Sequence, residues 1–329
     1  MRILVTGGAG FIGSHYVRTL LAGGYPGFED ARVTVLDKLS YAGNTANLPM
    51  DHTRLDFVRG DILNSELLDH LLPGHDAVVH FAAESHVDRS VAGAAAFVTT
   101  NVLGTQSLLD ACLRLGVGPV VQVSTDEVYG SIDSGAWTEE EPLLPNSPYS
   151  ASKAAADLLA RAYHRTHGLD VRVTRCTNNY GTHQHVEKLI PNFVTRLLRG
   201  LTVPLYGDGS NVREWLHVDD HCRAVQLVLT GGRAGEVYNI GGATALTNLE
   251  MTERLLDLCG ADFSSVAYVE DRKGHDLRYA IDDGKIRAEL GYAPRRTLDE
   301  GLREVVAWYR DRPDWWKPQA DTASRGGAA

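Results

Sequence analysis

A glycine-rich turn between a short apolar strand and a helix is the feature that most constrains the fold of this 329-residue chain. An apolar run over residues 2–6 precedes the turn, and Phe11–Leu21, which has helical periodicity, follows it. The turn contains Gly7, Gly10 and Gly13, with the spacing G-x-x-G-x-x-G. Such glycines permit a tight turn and let the backbone approach a pyrophosphate at the helix N-terminus. A plain tight turn without a ligand is the alternative interpretation.

The first half of the chain alternates apolar strands with helices. Near-continuous apolar strands separated by helices indicate a parallel sheet covered on both faces. We therefore predict an α/β fold, with a Rossmann-like doubly wound parallel sheet and a smaller C-terminal α/β substrate-binding lobe. The predicted strands of this half are Arg2–Thr6, Arg32–Asp37, Leu55–Arg59, Asp76–Phe81, Pro119–Ser124 and Val171–Arg175. The predicted helices are Phe11–Leu21, Asn64–Leu72, Ala92–Leu115 and Tyr149–His167.

The alternation loosens after residue 178. We predict a dinucleotide-binding domain over residues 1–178, to which some later segments return, and a mainly substrate-binding lobe over residues 179–317. Residues 318–329 are small and polar and predict a disordered tail. The predicted elements of the second half are helices at Ile190–Arg199, Asp219–Thr230, Asn248–Cys259, Asp282–Leu290 and Leu298–Arg310, and strands at Thr202–Leu205, Glu236–Ile240 and Val266–Val269.

The composition argues against several classes of protein. Acidic residues outnumber basic ones by 42 to 32, and the net charge of −10 disfavours a nucleic-acid-binding or basic membrane-surface protein. A small anion can still bind locally at a helix N-terminus. We find neither a leader pattern nor an apolar stretch of membrane-spanning length, so we expect a cytoplasmic protein. The 4 cysteines lack C-x-x-C spacing and predict neither a disulfide framework nor a metal site.

Acidic residues follow the second and third predicted strands. Asp37 ends the second strand, where a carboxylate can bridge the hydroxyls of an adenosine ribose and repel a 2′-phosphate, which favours NAD over NADP. Lys38 weakens this preference, and capping of the next loop is the alternative role for Asp37. Asp61 and Ile62 follow the third strand and are candidates for contact with the adenine, with loop capping by Asp61 as the alternative.

Tyr149 and Lys153 lie four residues apart in a predicted helix and therefore share one face. A lysine ammonium beside a phenol favours the phenolate, as does a nearby oxidised nicotinamide, and both lower a pKa that is about 10 in water. A phenolate next to a sugar hydroxyl could remove its proton as a hydride leaves the same carbon.

The segment from Ser124 to Gly130 reads Ser-Thr-Asp-Glu-Val-Tyr-Gly and lies at the C-terminal end of the fifth predicted strand. Ligands bind at this edge of open α/β sheets. If Asp126 and Glu127 are buried together, one of them is expected to carry a proton. An acid and a base side by side are what the elimination of water requires. A solvated acidic loop is the alternative interpretation.

Together these motifs resemble the extended short-chain dehydrogenase/reductase family over nearly the whole chain. The resemblance implies that Thr125 hydrogen-bonds the substrate, and that Tyr149 and Lys153 serve hydride transfer with bound NAD. The Asp126–Glu127 pair is similar to that of the nucleotide-sugar 4,6-dehydratases, above all those acting on dTDP-glucose. Those enzymes are lyases that oxidise C4, eliminate water across C5 and C6, and return the hydride to C6. A nucleotide-sugar 4-epimerase, a decarboxylase or a non-catalytic NAD-binding protein remains an alternative.

The resemblance also implies further contacts and an assembly. Phe11 and Ile12 join the glycines in the cofactor site, and Ala82 and Ala83 pack near the nicotinamide ribose. The helices at 92–115 and 149–167 would form a four-helix homodimer interface, with packing on the sheet as the alternative. The implied substrate contacts are Ser85, His86, Asn178, Glu187, Lys188, Leu189, Pro204, Tyr206, Arg213, Asn248, Arg272 and His275. For the arginines the alternative is a surface salt bridge, and for His86 it is ordinary hydrogen bonding within its loop.

Overall fold

The structure is a computed structural model that describes residues 1–242, 244–271 and 274–326. Its strands in chain order are β1 (Arg2–Thr6), β2 (Arg32–Asp37), β3 (Leu55–Arg59), β4 (Ala77–His80), β5 (Val120–Thr125), β6 (Val171–Cys176), β7 (Asn178–Tyr180), β8 (Val203–Tyr206), β9 (Val212–His217), β10 (Val237–Ile240), β11 (Thr244–Thr247) and β12 (Val266–Val269). Within the described residues, seven of these strands form one sheet in the order β10-β6-β5-β4-β1-β2-β3. Every neighbouring pair is parallel. This confirms the predicted doubly wound sheet, whose strand order reverses between β1 and β4.

Helices cover both faces of this sheet and bury its apolar strands. In chain order they are α1 (Phe11–Leu21), α2 (Ser65–Leu71), α3 (Val87–Ala92), α4 (Ala95–Phe97), α5 (Gly104–Leu115), α6 (Pro148–His167), α7 (Leu189–Leu197), α8 (Val218–Gly231), α9 (Asn248–Cys259), α10 (Gly284–Leu290), α11 (Leu298–Asp311) and α12 (Pro313–Gly326). One face of the sheet packs against α1, α8 and α10, and the other packs against α2, α5 and α6. No helix in the described part of the chain is both long and apolar enough to cross a membrane.

Local sequence fixes the helix α6 at both ends. Ser147 is its N-cap and accepts a hydrogen bond from the Ser150 N–H at 3.1 Å. Pro148 occupies the first helical position, where its missing N–H costs nothing. Gly168 ends the helix in the left-handed conformation with φ of +73°. These signals set the register of the Tyr149–Lys153 face against the sheet.

The predicted helix at 92–115 is interrupted in the structure. Residues Val98–Leu103 form a π-helical turn between α4 and α5, and Asn101 lies within it. The Asn101 side chain accepts from the Glu84 N–H at 2.8 Å and donates to the Ser152 Oγ at 2.8 Å. Periodicity does not reveal this turn because the apolar pattern continues through it.

The second half of the chain contributes to both parts of the fold. Strand β10 extends the main sheet next to β6, whereas β7, β9 and β11 form a three-stranded sheet and β8 pairs with β12. A separate apolar core lies among α7, α9, α11 and these short strands. The sequence did not predict β7, β9 or β11, because they are short and polar residues interrupt them.

The predicted disordered tail from residue 318 is wrong as far as Gly326, because α12 continues to that residue. Trp315 and Trp316 pack into the core of the smaller lobe, and the Trp316 Nε1–H donates to the Tyr309 carbonyl at 2.7 Å. This burial anchors the helix. Residues 327–329 lie outside the described residues.

A buried ion pair joins β6 to α6 and yields a prediction on stability. Arg175 Nε donates to Asp157 Oδ2 at 3.0 Å, and neither side chain has exposed surface. We predict that Arg175→Met lowers the free energy of unfolding by about 3–5 kcal/mol in urea denaturation, because it leaves a buried unpaired carboxylate. The control Arg114→Met breaks an exposed pair with Asp69 and should cost less than about 1 kcal/mol. Equal losses would contradict the role given to burial.

Candidate active site

A cleft lies at the carboxyl ends of the central strands, at the point where the strand order reverses. Open parallel sheets bind ligands in this position. The wall is formed by the loops after β1 to β6, the start of α6 and the segment before α7. The predicted site residues that line the cleft are Gly7, Gly10, Phe11, Ile12, Gly13, Asp37, Asp61, Ile62, Ala82, Ala83, Ser85, Thr125, Asp126, Glu127, Tyr149, Lys153, Asn178, Glu187 and Lys188.

Close backbone contacts require glycine at two positions of the turn after β1. Gly7 has φ of +69°, and a Cβ there would lie 2.5 Å from the backbone nitrogen of Ala82, just beyond β4. A Cβ on Gly13 would lie 2.4 Å from the carbonyl oxygen of Gly7. The turn thus places the N-terminus of α1 at the wall of the cleft, with first-turn N–H groups that have no partner within the helix. Such a position suits an anionic group.

The carboxylate of Asp37 is held in one orientation beside this turn. Its Oδ2 accepts from the Ala9 N–H at 3.0 Å, and its Oδ1 accepts from the Leu39 N–H at 2.8 Å. Burial raises the pKa of Asp37, and these two N–H groups counter the rise. The neighbouring Lys38 donates to Thr100 Oγ1 at 3.1 Å.

Asp61 and Ile62 line the cleft beyond β3. Asp61 Oδ1 accepts from the Leu63 N–H at 3.0 Å, which is the loop-capping contact, and its Oδ2 lies 3.8 Å from Lys38 Nζ. Lys38 therefore lies close to the acidic side chain of Asp61.

The residues of this half of the cleft fit a dinucleotide. Glycine at positions 7 and 13 lets the turn pack closely on itself and on the end of β4, which places the N-terminus of α1 at the cleft, where a pyrophosphate can meet its N–H groups. The fixed carboxylate of Asp37 lies at the end of β2, where it can accept hydrogen bonds from ribose hydroxyls.

Tyr149 and Lys153 lie one turn apart on the buried face of α6, as predicted. Lys153 Nζ donates to the Val123 carbonyl at 2.7 Å, and the Tyr149 ring meets the Phe97 ring edge-on with centroids 6.2 Å apart. Burial raises the pKa of Tyr149 well above its usual value, and the charge of Glu127 raises it further. The sequence predicted a lowered pKa with the lysine and an oxidised nicotinamide beside the phenol. The protein's own groups produce the opposite direction, because burial has the largest effect and the acidic neighbours add to it.

Thr125 organises the acid pair at the end of β5. Its hydroxyl accepts from the Glu127 N–H at 3.3 Å and donates to Asp126 Oδ1 at 3.2 Å. Ser150 of α6 donates to Glu127 Oε2 at 3.2 Å. Asp126 is buried, and its Oδ2 has no hydrogen-bond partner within the part of the chain that the structure describes. The pair is therefore built into the wall of the cleft, and the alternative of a solvated acidic loop does not hold.

The surroundings distinguish the two carboxyl groups. Burial raises the pKa of Asp126 well above its usual value, and the acidic neighbours Glu127 and Glu214 raise it further. Burial also raises the pKa of Glu127, but the cations of Lys188 and Arg213 counter this rise. A proton shared by the pair is therefore favoured on Asp126.

A polar cluster connects the two parts of the fold across the cleft. The Glu187 carboxylate lies 3.5 Å from His86 Nε2 and 3.8 Å from Arg89 Nε. Lys188 Nζ donates to the Ser85 carbonyl at 2.7 Å. The two stretches that the sequence assigned to the substrate therefore meet in space, although they are about a hundred residues apart.

The remaining predicted substrate residues lie in the smaller lobe, and those that the structure describes are not among the residues that line the cleft. Asn248 opens α9, and its N–H donates to the Asn211 carbonyl at 2.9 Å. His275 Nδ1 lies 2.6 Å from Asp271 Oδ1. The members of this group are Leu189, Pro204, Tyr206, Arg213, Asn248 and His275, whereas Arg272 lies outside the described residues.

Arg213 does not form the surface salt bridge that was its alternative role. It is buried, and its guanidinium donates to the carbonyls of Asp276 at 2.8 Å and Val212 at 2.7 Å. The same group lies 4.4 Å from the centroid of the Tyr279 ring. Its charge also acts on the acid pair, so Arg213 links the smaller lobe to the centre of the cleft.

Several residues of the cleft escaped the sequence analysis. Ser150 does not line the cleft itself but donates to Glu127, and its position directly after Tyr149 at a helix N-terminus was a usable signal. The others come from segments with no motif of their own, and only the path of the chain brings them together. They are Ser40, Ala42, Gly43, Thr100, Cys176, Thr177, Gln184, His185 and Trp215.

Comparison with known proteins identifies the family. Residues 4–305 match the family model described as GDP-mannose 4,6 dehydratase. The chain belongs to this family. The match covers both the glycine turn and the acid pair, and it confirms the resemblance seen in the sequence.

Three dTDP-glucose 4,6-dehydratases resemble the chain over nearly all its length. The dTDP-glucose 4,6-dehydratase of Streptomyces niveus is 61% identical over 320 residues, covering 97% of this chain and 95% of that protein. The dTDP-glucose 4,6-dehydratase of Streptomyces antibioticus is 63% identical over 319 residues, with the same coverage of 97% and 95%. The structure of DesIV from Streptomyces venezuelae, a dTDP-glucose 4,6-dehydratase with NAD and TYD bound, superposes with a TM-score of 0.96. It is 66% identical and covers 97% of this chain and 100% of that chain.

The raised pKa of Asp126 predicts a dependence of stability on pH. A carboxyl group whose pKa is raised by folding loses stability as the pH rises from its unfolded pKa through its folded pKa. We predict that Asp126→Asn increases the free energy of unfolding by about 0.5–2 kcal/mol at pH 8, and that this gain shrinks as the pH falls toward 4. Urea denaturation across this pH range measures it. The exposed Asp51→Asn serves as a control without gain, and a pH-independent effect at Asp126 would contradict the assignment.

Proposed function

We propose that the protein is an NAD-dependent dTDP-glucose 4,6-dehydratase, a hydro-lyase of deoxysugar biosynthesis that forms dTDP-4-keto-6-deoxyglucose and water. The observation that carries the proposal is the buried Asp126–Glu127 pair beside Tyr149, in a cleft whose other half fits a dinucleotide. An acid, a base and a phenol at one place supply the proton transfers of an oxidation and an elimination on the same sugar. The dTDP-glucose 4,6-dehydratases similar to this chain support the choice of substrate.

NAD is proposed to bind along the glycine turn and Asp37, with Ala82 and Ala83 next to its nicotinamide end. When bound, NAD supplies a positively charged ring that accepts a hydride from sugar C4 and gives it back at C6. The order of Gly7, Asp37 and Tyr149 around the cleft supports this placement. The orientation of Asp37 favours ribose hydroxyls over a 2′-phosphate, because like charges would repel.

Tyr149 is the proposed base for the 4-hydroxyl of the glucose. Burial keeps this phenol protonated in the protein alone, and positive charge brought beside it favours the phenolate. Lys153 contributes one such charge from the same helix face, held by the Val123 carbonyl. A hydrogen bond with Thr125 lowers the pKa of this phenol and is proposed to orient it. Oxidation at C4 therefore depends on charge assembled around a buried tyrosine.

Glu127 and Asp126 are the proposed base and acid of the elimination. The ketone at C4 acidifies the proton on C5, and Glu127, whose charge Lys188 and Arg213 stabilise, removes it. Asp126, which burial and Glu214 hold in its protonated form, gives its proton to the departing C6 hydroxyl. Water leaves, the hydride returns to C6, and C5 takes back a proton. The overall reaction involves no net oxidation, because the hydride removed from C4 returns to C6, and the enzyme is therefore a lyase.

The nucleotide diphosphate is proposed to extend from the cleft into the smaller lobe. Arg213 lies between the acid pair and this lobe, and guanidinium groups pair well with phosphate oxygens. The buried side chain of Asn248 has an Oδ1 without a hydrogen-bond partner among the described residues, which leaves it available to a ligand. Tyr206 ends β8 and is proposed to contact the base.

We also propose a cytoplasmic homodimer. Val98, Leu103 and Leu158 are large apolar side chains with exposures of 49%, 52% and 54%. They belong to the π-helical turn and to α6, which pack against each other at the surface of the main domain. Apolar residues exposed on neighbouring helices suit a helix-to-helix interface between two copies.

The substrate proposal predicts a ranking among sugar nucleotides. With dTDP-, UDP-, GDP- and CDP-glucose at equal concentration, we expect keto-sugar formation to be fastest with dTDP-glucose, because pocket contacts with the base add binding energy. Product analysis by mass spectrometry checks the loss of one water per sugar. A 4-epimer without loss of water, or released CO₂, would establish the epimerase or decarboxylase instead. Turnover of none of the four would favour a non-catalytic NAD-binding protein.

The role of Glu127 predicts a specific loss. We expect Glu127→Gln to abolish exchange of the C5 proton with solvent deuterium and to slow turnover by about 10²–10⁴-fold, because a general base is removed. Oxidation at C4 should persist, seen as cofactor reduction on addition of substrate. The control Ser150→Ala removes only one hydrogen bond to Glu127 and should slow turnover far less. Unchanged C5 exchange in Glu127→Gln would refute the assignment.

A further inference from the structure

The C-terminal helix α12 makes an unexpected contact with the cofactor half of the molecule. Trp315 of α12 donates its Nε1–H to Asn47 Oδ1 at 2.9 Å, across 268 residues of sequence. Asn47 is buried and lies in the loop after β2 that runs along the cleft. An indole N–H is only a donor, so it fixes the amide of Asn47 with its oxygen toward the helix.

That orientation turns the NH₂ of Asn47 toward the glycine turn. Asn47 Nδ2 donates to the Ala9 carbonyl at 2.9 Å, and the Asn44 N–H donates to the same oxygen at 3.0 Å. The N–H of Ala9 in turn donates to Asp37 Oδ2 at 3.0 Å. One residue of the glycine turn is therefore held on both sides, by Asn47 through its carbonyl and by Asp37 through its N–H.

A second set of contacts connects Asn47 with an aromatic cluster that consists of His183, Trp308 and Trp315. The His183 ring packs against Trp308 with centroids 4.4 Å apart and against Trp315 at 5.8 Å. The Nη2 atom of Arg18 in α1 lies 3.4 Å from His183 Nδ1. The Nη1 atom of the same residue donates to the Asn47 carbonyl at 2.7 Å. Asn47 is thus fixed at both its side chain and its backbone by groups connected to the cluster.

We propose that Trp315 is a positioning residue for the cofactor site, which holds Asn47 so that Asn47 fixes the glycine turn against the pyrophosphate. This rests on the proposed binding of NAD to that turn. Trp315 is not among the residues that line the cleft, so it would act on the cofactor only through Asn47. The C-terminal helix, whose sequence carries no motif, thereby becomes part of the dinucleotide site.

The test is the rate at which bound NAD exchanges with excess isotope-labelled NAD, measured on the full-length protein together with its Tm. Trp315→Phe keeps an aromatic ring and removes the donor, so exchange should become about fivefold faster, the factor of one net hydrogen bond. The matched control Trp316→Phe removes a donor in the same helix that binds the Tyr309 carbonyl, and its exchange rate should stay within about twofold of wild type. Asn47→Ala should also accelerate exchange.

A double-mutant cycle separates positioning from general destabilisation. Adding Trp315→Phe to Asn47→Ala should produce no further acceleration, because the route has already been cut. An unchanged rate in Trp315→Phe or Asn47→Ala, an equal acceleration in Trp316→Phe, or additive effects in the double variant would overturn the inference alone. A wild-type protein that retains no NAD would overturn the cofactor assignment as well, so the two failures are distinguishable.

Discussion

The close approach of the glycine turn to the end of β4 is the contact on which the rest of the site depends. A Cβ on Gly7 would lie 2.5 Å from the Ala82 nitrogen, so no other residue allows β1 and β4 to come together with α1 starting between them. This contact lies at the reversal of strand order, where the loops diverge and leave a cleft. The N-terminus of α1, Asp37 at the end of β2 and the Asp126–Glu127 pair all line this cleft. The dinucleotide site and the sugar site are therefore neighbours by topology.

Burial then decides what the titratable groups of the cleft can do. Asp126, Glu127 and Tyr149 all have raised pKa values because the cleft wall removes them from water. Arg213 opposes this effect at both carboxyl groups, but Lys188 adds its charge only beside Glu127, whereas Glu214 raises the pKa of Asp126 further. Two adjacent carboxyl groups thereby acquire different tasks from their neighbours, since their own chemistry is nearly the same.

Much of the fold was predictable because its signals are local. Five elements have the bounds that the sequence predicted: β1, β2, β3, α1 and α9. Their apolar residues recur with the period of a strand or a helix, and local residues signal where they end. The π-helical turn around Asn101 was not predictable, because its residues Val98–Leu103 include no glycine or proline to signal a change in the helix. The tail prediction was wrong because composition alone hides the anchoring of α12 by Trp315 and Trp316. Spacing also does not show how deeply Tyr149 is buried, and this burial raises the pKa of its phenol in the protein alone.

The sequence by itself determined the class of fold, the glycine turn, the Tyr149–Lys153 face and the adjacent acids, because all of these depend on spacing within one segment. Only the tertiary structure showed which charges surround each carboxyl group, since the neighbours that differ between them come from β9 and the segment before α7. It likewise decided that Glu187 meets His86 and that Trp315 reaches the glycine turn through Asn47. Those contacts join residues that are far apart in the chain. A local sequence pattern cannot predict them, because hydrogen bonds and charge interactions depend on distance in space.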